Sequence, residues 1–210
     1  ELQQVFNFDL LVAPFDAAFL YDCINSTLEM LRRVDAPATW ALSNHDTPRV
    51  ASRHGAKPSR ALALFVFALP GSCYIYNGQE LGLPDAELED SDRQDPTFFR
   101  TNGARVGRDG CRVPHPWEAG VNQSNGFSST GEAWLPQPDI YRNYSRDLQE
   151  GTPGSILEMY KAALRIRTEL DLGQGSFEWV RELCDGGALA FRNLEVLVIH
   201  NFGSEPIAAP

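Results

Sequence analysis

The chain has 210 residues, of which 43% are hydrophobic and 22% charged, and its formal net charge at pH 7 is -10. This composition is typical of a globular protein that buries a sizeable core, and it disfavours intrinsic disorder. Nucleic acids and anionic membrane surfaces attract clustered Lys and Arg, so we expect neither as a partner of this acidic chain. The strongest apolar run, Ala61 to Tyr76, is interrupted by Pro70-Gly71 and is too short to span a bilayer.

The cysteines and the absence of familiar cofactor motifs narrow the chemistry further. No phosphate-binding glycine loop, Ser-His-Asp order or metal-ligand spacing stands out, so we predict no cofactor and no metal. The cysteines show neither a zinc spacing nor a CxxC pair, which favours free thiols in a reducing compartment and hence a cytoplasmic location. These cysteines are Cys23, Cys73, Cys111 and Cys184.

Strand and helix patterns alternate over the first third of the chain. The apolar run Val5 to Leu11 predicts a strand, Ala17 to Arg33 an amphipathic helix, and Thr39 to Ser43 a second strand. A helix from Arg60 to Leu69 precedes a strand from Ser72 to Tyr76, which is apolar enough to be buried on both faces. This alternation predicts a parallel sheet or a barrel.

The sequence then becomes irregular before it resumes a clear pattern. From Asn77 to about Pro153 it is rich in Gly, Pro, Asp and Asn and contains two tryptophans, which indicates a structured active-site or binding loop. Ser155 to Leu170 predicts another helix. Three short strands follow it, at Ser176–Val180, Ala188–Arg192 and Glu195–Asn201. They predict the start of a separate antiparallel module.

The sharpest chemical feature is a polar cluster directly after a predicted strand. Asn44, His45 and Asp46 come at the point where barrel enzymes carry catalytic groups, and Arg49 follows within reach. The spacing alone leaves an alternative open, in which Asp46 begins a turn and His45 is structural.

Two further segments carry candidate groups. Asn77 to Glu80 follows the next strand, although Glu80 alone is more often structural than catalytic. The segment from Ala104 to Trp117 can form a site in which a guanidinium binds hydroxyls or a carboxylate while an aromatic face stacks on a sugar ring. A solvated, internally paired loop is the alternative. Its charged residues are Arg105, Arg108, Asp109 and Arg112.

Taken together, these segments resemble the alpha-amylase superfamily of glycoside hydrolases, family 13. Thr39 to Asp46, followed by Arg49, resembles that family's seventh-strand motif. Leu69 to Leu83 is similar to its eighth-strand segment, and Val5 to Phe8 to its sixth strand.

The long loop narrows the resemblance to one branch. Gly107 to Trp117, with Asn125 to Phe127 and Glu132 to Pro136, is similar to the loop of the alpha-glucosidase and oligo-1,6-glucosidase branch. The matches follow one another in the family's order over residues 1 to 200. The chain departs from the branch at Asn77-Gly78 and Val113 to Pro116, which leaves the linkage preference open.

The resemblance implies an α/β fold: the second half, strands six to eight, of a (β/α)8 TIM barrel, followed by the start of a small antiparallel β domain. We therefore expect residues 1–171 to form a partial catalytic barrel with a long loop at 77–153. Residues 172–210 are expected to begin the carboxyl-terminal domain.

The resemblance also implies roles for individual residues. The family hydrolyses glycosides with retention, through an Asp nucleophile, a Glu acid/base and a second Asp that stabilises the oxocarbenium-like transition state. By its place in the motif, Asp46 is that second Asp, and His45 contacts the sugar in the first subsite. Arg112 matches an arginine that reaches the bound glucoside, and Arg49 belongs to the supporting shell.

The two other catalytic carboxylates lie on the family's fourth and fifth strands, before any motif matched here, and the acid/base role is not assigned to Glu1. We therefore expect a carboxyl-terminal fragment of an alpha-glucosidase that acts on terminal alpha-linked glucose of short oligosaccharides or disaccharides and is inactive alone. A transglycosylase of the trehalose synthase or sucrose isomerase type is an alternative. A non-catalytic, transporter-associated relative is another, and the oligomeric state is left open.

Overall fold

The computed structural model of the chain describes residues 4–207, and they divide into two compact units, each built from segments that are distant in sequence. The first unit contains the chain up to residue 42, residues 60–74 and the chain from residue 162 onward. The second contains residues 43–59 and 75–161. No helix among the described residues is both long and apolar enough to cross a membrane.

The secondary structure consists of short elements. The α-helices are α1 (Phe8–Leu11), α2 (Ala17–Arg32), α3 (Val50–His54), α4 (Ala56–Phe67), α5 (Pro96–Arg100), α6 (Asp109–Arg112), α7 (Arg146–Gln149) and α8 (Ile156–Glu169). The strands are β1 (Thr39–Ala41), β2 (Ser72–Tyr74), β3 (Glu178–Trp179), β4 (Ala188–Asn193) and β5 (Val196–Asn201). Helices α2 and α8 confirm the sequence-based assignments, α4 begins before the predicted Arg60, and α3 was not predicted.

The first unit contains the predicted parallel strand pair. Strand β1 pairs with β2 in parallel, and Trp40 lies opposite Cys73. The indole of Trp40 is fully buried, and its Nε1 donates a hydrogen bond of 2.6 Å to the carbonyl of Pro70. Pairing of consecutive strands in parallel, with a helical connection between them, is what the sequence alternation predicted.

Strand β2 is less buried than its sequence suggested, so that prediction was wrong. It ends at Tyr74 rather than Tyr76, Ser72 and Cys73 are half-buried, and Tyr74 is 49% exposed. In the described part of the chain β2 pairs with β1 alone, so one edge has no neighbouring strand. The ring of Phe6 covers part of Tyr74, with ring centroids 4.8 Å apart.

The predicted strand from Val5 to Leu11 is also wrong. Residues 4–7 have no regular structure and Phe8–Leu11 forms helix α1, whereas residues 1–3 lie outside the described part. The side-chain oxygen of Asn7 accepts a hydrogen bond of 2.7 Å from the amide of Leu10, so Asn7 caps the helix. This local hydrogen bond ends the extended conformation that an apolar run would otherwise favour.

The three predicted carboxyl-terminal strands form an antiparallel sheet in the order β3-β4-β5. Nearly all of β4 is buried. At its end the side-chain nitrogen of Asn193 donates to the carbonyls of Ala68 and Leu172, at 2.8 and 3.0 Å, which fixes the hairpin against the end of α4. The domain boundary between residues 171 and 172 stays a prediction. The last three residues of the expected carboxyl-terminal domain, 208–210, lie outside the described part of the chain.

In the second unit, the long irregular segment is structured. It contains short helices and encloses its own apolar cluster. The cluster consists of Leu83, Ala86, Leu88, Val113, Leu135 and Tyr141. The hydroxyl of Tyr141 donates a hydrogen bond of 2.7 Å to the carbonyl of Pro84, so its one polar atom is satisfied.

A buried guanidinium ties the segments of the second unit together. Arg49 is 2% exposed, and its Nη1 and Nη2 donate to the carbonyls of Asn77 and Cys111, at 2.6 and 2.9 Å. Its backbone amide donates to Asp85 Oδ1 at 2.9 Å, and its guanidinium carbon lies 4.9 Å from the centre of the Tyr76 ring. One side chain thus holds three segments that are far apart in sequence.

We expect Arg49→Met to lower the free energy of unfolding by about 3 kcal/mol, because it removes the two charge-assisted hydrogen bonds that join the segments of Asn77 and Cys111 to Arg49. Urea unfolding measures the change. Arg105→Met is the matched control, since Arg105 is exposed, and it should change stability by less than about 0.5 kcal/mol. Equal losses in both variants would contradict the role given to the buried contacts.

A second buried group, His200, lies among aromatic rings of the first unit. Its ring centroid is 4.2 Å from that of Phe202, 5.2 Å from Phe65 and 6.1 Å from Phe15. Its Nε2 has no hydrogen-bond partner within residues 4–207. Burial lowers the pKa of His200 to about 4, so the folded chain keeps this imidazole neutral.

We expect this histidine to make the first unit sensitive to acid. The unfolded chain binds a proton at His200 below its ordinary pKa of about 6.5, whereas the folded chain does so only near 4, so stability falls as the pH drops through this interval. Between pH 7 and pH 5 the loss should be on the order of 1–2 kcal/mol, measured by urea unfolding. His200→Leu should remove this part of the pH dependence, and an unchanged dependence would refute the assignment.

Candidate active site

The turn that carries Asp46 is organised by the side chain before it. Asn44 Oδ1 accepts hydrogen bonds from the amides of Asp46 and Thr47, at 2.9 and 3.0 Å, and from the Thr47 hydroxyl at 3.1 Å. Ser43 Oγ accepts from the amide of Val50 at 2.8 Å, which closes the same turn onto helix α3. An Asx turn of this kind fixes the backbone from which the Asp46 side chain projects.

The carboxylate of Asp46 is bound by two arginines on one oxygen. Asp46 Oδ1 accepts from Arg108 Nη1 at 2.8 Å and from Arg112 Nη2 at 3.0 Å. The other oxygen, Oδ2, lies 3.4 Å from Nε2 of His45. The Asp46 side chain is 47% exposed and that of His45 is 65% exposed, so both remain accessible to a ligand.

These contacts set the charge of the site. The hydrogen bond from Arg108 is the main cause that lowers the pKa of the Asp46 carboxyl, and the charges of His45 and Arg108 act in the same direction. Asp46 is therefore an ionised hydrogen-bond acceptor at neutral pH.

Arg112 connects the carboxylate to the backbone of the same turn. Its Nε donates a hydrogen bond of 2.7 Å to the carbonyl of His45 while its Nη2 binds Asp46. The structure thus brings together His45, Asp46 and Arg112, three of the four site residues that the sequence singled out. The fourth, Arg49, is buried in the backbone contacts described above.

Arg108 has a role that sequence reasoning did not assign. The sequence grouped it with the charged residues of a segment in which a guanidinium could bind a carboxylate, but it gave Arg108 no contact with Asp46, which the structure shows at 2.8 Å. The signal was its spacing from Arg112: the two arginines stand at the N-cap and the last residue of helix α6, one turn apart. Of the other residues in that group, Arg105 is exposed and Asp109 is buried.

Asp46 and Arg108 line a cleft of about 510 Å³ in the second unit. A cleft of this size lies in the range of small-molecule sites. Three more acidic side chains line it, Asp85, Glu87 and Glu89, together with Arg93. Apolar residues such as Leu88 and Val106 complete the lining, so the cleft offers both charged groups and an apolar surface to a ligand.

The candidate residue Glu80 forms a separate local pair. Its Oε1 lies 2.9 Å from Nε2 of His115, a residue that is 7% exposed. The ring of His115 lies 4.4 Å from that of Trp117, which is itself 45% exposed. Glu80 is therefore a locally paired carboxylate, as the structural interpretation of the sequence favoured.

The described residues 4–207 form neither a metal-binding cluster nor a disulfide. Across residues 4–207 no group of three or more His, Cys, Asp or Glu side chains is arranged to hold a metal ion. All four cysteines are free. Burial raises the pKa of Cys23, Cys73 and Cys111 to about 11, so these thiols are protonated at neutral pH and poor nucleophiles.

Comparison with known proteins agrees with the family resemblance that the sequence motifs indicated. Residues 2–174 match the alpha-amylase family, described as alpha amylase, catalytic domain. Maltase A1 of Drosophila melanogaster is 32% identical over 175 residues, which cover 81% of this chain and 30% of the maltase. The amino acid transporter heavy chain SLC3A1 of Mus musculus is 30% identical over 193 residues, which cover 88% of this chain and 26% of that protein.

The solved structures agree with the sequence comparison. The crystal structure of the alpha-glucosyl transfer enzyme XgtA matches with a TM-score of 0.79 at 32% identity, over 96% of this chain and 38% of that chain. The chain thus spans about a third of the length of these relatives. Because the family match covers most of its residues, and maltases and alpha-glucosidases are among its relatives, the chain belongs to the alpha-amylase family, glycoside hydrolase family 13.

Proposed function

We propose that this chain is the carboxyl-terminal part of a retaining alpha-glucosidase that hydrolyses terminal alpha-linked glucose from short oligosaccharides or disaccharides. The observation that carries the proposal is the Asp46 carboxylate, which is ionised, held by two arginines through Oδ1 and still 47% exposed at the rim of a cleft. Its negative charge and its second oxygen remain for the substrate.

Asp46 acts as the stabiliser of the transition state. Its Oδ2 accepts hydrogen bonds from the 2- and 3-hydroxyls of the sugar, and these bonds tighten as the ring flattens and positive charge develops. The low pKa of Asp46 keeps the carboxylate charged throughout the reaction. A neutral acid in this place would offer less charge to an oxocarbenium-like centre.

His45 and Arg112 bind the sugar beside it. His45 is well exposed and its Nε2 lies next to Asp46 Oδ2, so a hydroxyl can bridge the two side chains. Arg112 is 20% exposed, and its contacts with Asp46 and the His45 carbonyl hold it at the edge of the site, where its Nη1 can donate to a bound glucoside. Arg49 supports the site by fixing the backbone of Cys111, the neighbour of Arg112.

The same proposal places the chain in the barrel as strands six to eight, although the sixth-strand motif, Val5 to Phe8, does not form a strand here. Strands β1 and β2 carry the seventh- and eighth-strand motifs and are parallel neighbours, which supports that order. Under this proposal the Asp nucleophile and the Glu acid/base lie on the fourth and fifth strands, upstream of the matched motifs. Turnover of p-nitrophenyl alpha-glucoside by the 210-residue chain alone, abolished by Asp46→Asn, would contradict it.

Two alternatives have support from individual relatives. XgtA is an alpha-glucosyl transfer enzyme, which favours transfer to a sugar acceptor instead of water. Product analysis on maltose, isomaltose and sucrose separates the two, because hydrolysis yields free glucose and transfer yields new linkages. The transporter heavy chain SLC3A1 favours a non-catalytic role, but a purely structural relative has no need of the exposed Asp46 cluster.

We also propose that the enzyme works in the cytoplasm. The four free cysteines support this proposal, because disulfides are rare in reducing compartments. A neutral sugar suits a chain with a net charge of -10 better than an anionic ligand does.

We expect Asp46→Asn, made in the protein that contains this chain together with its upstream barrel strands, to lower kcat/KM on p-nitrophenyl alpha-glucoside by about a thousandfold. The amide keeps the shape of the side chain but removes the charge that stabilises the transition state. Steady-state kinetics measures the loss.

Asp90→Asn is the matched control. It also replaces a carboxylate that binds an arginine, but Asp90 is 80% exposed and pairs with Arg93. This variant should keep its kinetic constants within about twofold. Full activity in Asp46→Asn would refute the proposed function.

A further inference from the structure

Arg108 lies between two carboxylates that differ greatly in exposure. Its Nη1 donates to Asp46 Oδ1 at 2.8 Å and its Nε donates to Asp95 Oδ2 at 2.6 Å. Its backbone amide also donates to Asp95 Oδ2, at 3.0 Å. The Asp46 side chain is 47% exposed, whereas that of Asp95 is fully buried.

Asp95 is held firmly in its buried position. Its Oδ1 accepts from the amide of Thr97 at 2.8 Å and so caps helix α5. The Arg108 side chain is the main cause that holds the pKa of Asp95 well below its usual range, and amide donors add to it. An ionised carboxylate in the interior needs such a partner, because an unpaired buried charge is strongly destabilising.

The backbone around Asp95 is shaped for this contact. Asp109 is fully buried, and its Oδ2 accepts from the amides of Gln94 and Asp95, both at 2.8 Å. Gly107 has φ +75°, and a Cβ built there would lie 2.7 Å from the Cβ of Asp95. Only glycine therefore allows the backbone before Arg108 to approach Asp95 this closely.

We propose that Asp95 is a positioning residue, which acts through the Arg108 guanidinium to fix Asp46 with Oδ1 bound to the protein and Oδ2 available to the substrate. The use of Oδ2 by a sugar rests on the proposed function, while the coupling of the three side chains does not. A guanidinium is rigid and planar, so anchoring its Nε fixes the direction in which Nη1 donates. An exposed pair of Asp46 and Arg108 alone would hold the carboxylate weakly.

The coupling can be measured without turnover. In the protein that contains this chain together with its upstream barrel strands, labelled with ¹³C at aspartate carboxyl carbons, Asp46→Asn identifies the Asp46 signal, and its pH titration gives the pKa. Arg108→Gln should raise the pKa of Asp46 by about one pH unit, because it removes a cation and a hydrogen-bond donor. Asp95→Asn should raise it by about half a pH unit, because the freed guanidinium holds Asp46 for only part of the time.

The double variant shows whether Asp95 acts through Arg108. Asp95→Asn should have no further effect on the pKa of Asp46 when Arg108→Gln is already present. No rise from Asp95→Asn alone, a fall, or an equal rise in both backgrounds would overturn the proposal. Asp90→Asn, in the same segment, is the control and should leave the pKa of Asp46 unchanged.

Arg108→Lys provides a second test if Asp95→Asn fails to fold. Lysine keeps the positive charge, but its single ammonium group cannot reproduce the fork that binds Asp95 and Asp46 together. We expect the pKa of Asp46 to rise in this variant also. A wild-type pKa would show that charge alone suffices, and it would overturn the positioning role.

The outcome is separable from that of the proposed function. Coupled titration in a protein without glucosidase activity would support the positioning role and refute the function. Where the enzyme is active, Asp95→Asn should lower kcat about tenfold and leave KM nearly unchanged, since the interaction it weakens is made mainly in the transition state. Glucosidase activity without any effect of Asp95→Asn on the pKa of Asp46 would support the proposed function and refute only the positioning role.

Discussion

The burial of the Arg49 guanidinium is the constraint on which the second unit depends. A cation taken out of water costs several kcal/mol unless it finds hydrogen-bond acceptors, and Arg49 offsets part of this cost through Nη1 and Nη2, which donate to the carbonyls of Asn77 and Cys111. These two carbonyls belong to segments that are otherwise irregular. The need to satisfy one buried charge therefore fixes the backbone next to Arg112, and it does so from the segment that also carries Asp46.

The site built on this frame is a row of alternating charges. Asp95, Arg108, Asp46 and Arg112 follow one another within hydrogen-bond distance, and the buried Asp95 is thereby linked to the exposed Asp46. Each carboxylate is balanced by a guanidinium, so the row places an ionised carboxylate at the cleft without leaving a buried charge unpaired. The sugar chemistry proposed for Asp46 uses its other oxygen, Oδ2, which neither arginine binds.

The sequence predicted the parts of the fold and the site that depend on local patterns. Helix α2, helix α8 and the antiparallel strands follow their periodicity. The family resemblance assigned His45, in the motif of Asp46, and Arg112, in the long loop, to the same site, and the structure brings both to Asp46. The strand at Val5 to Leu11 failed because the Asn7 side chain caps a helix there, a contact that hydrophobicity does not report. Asp95 was missed because its role depends on its buried contact with Arg108, a residue of a later segment of the chain.

Helix α6 has four residues, too few for stability of its own, so its position is imposed by contacts from outside. One turn of helix separates Arg108 from Arg112, and both side chains reach the same oxygen of Asp46. An α-helix advances by about 100° per residue. One residue added or removed between the two arginines would turn one of them away from that oxygen, so the length of this short segment is as much a part of the site as the residues at its ends.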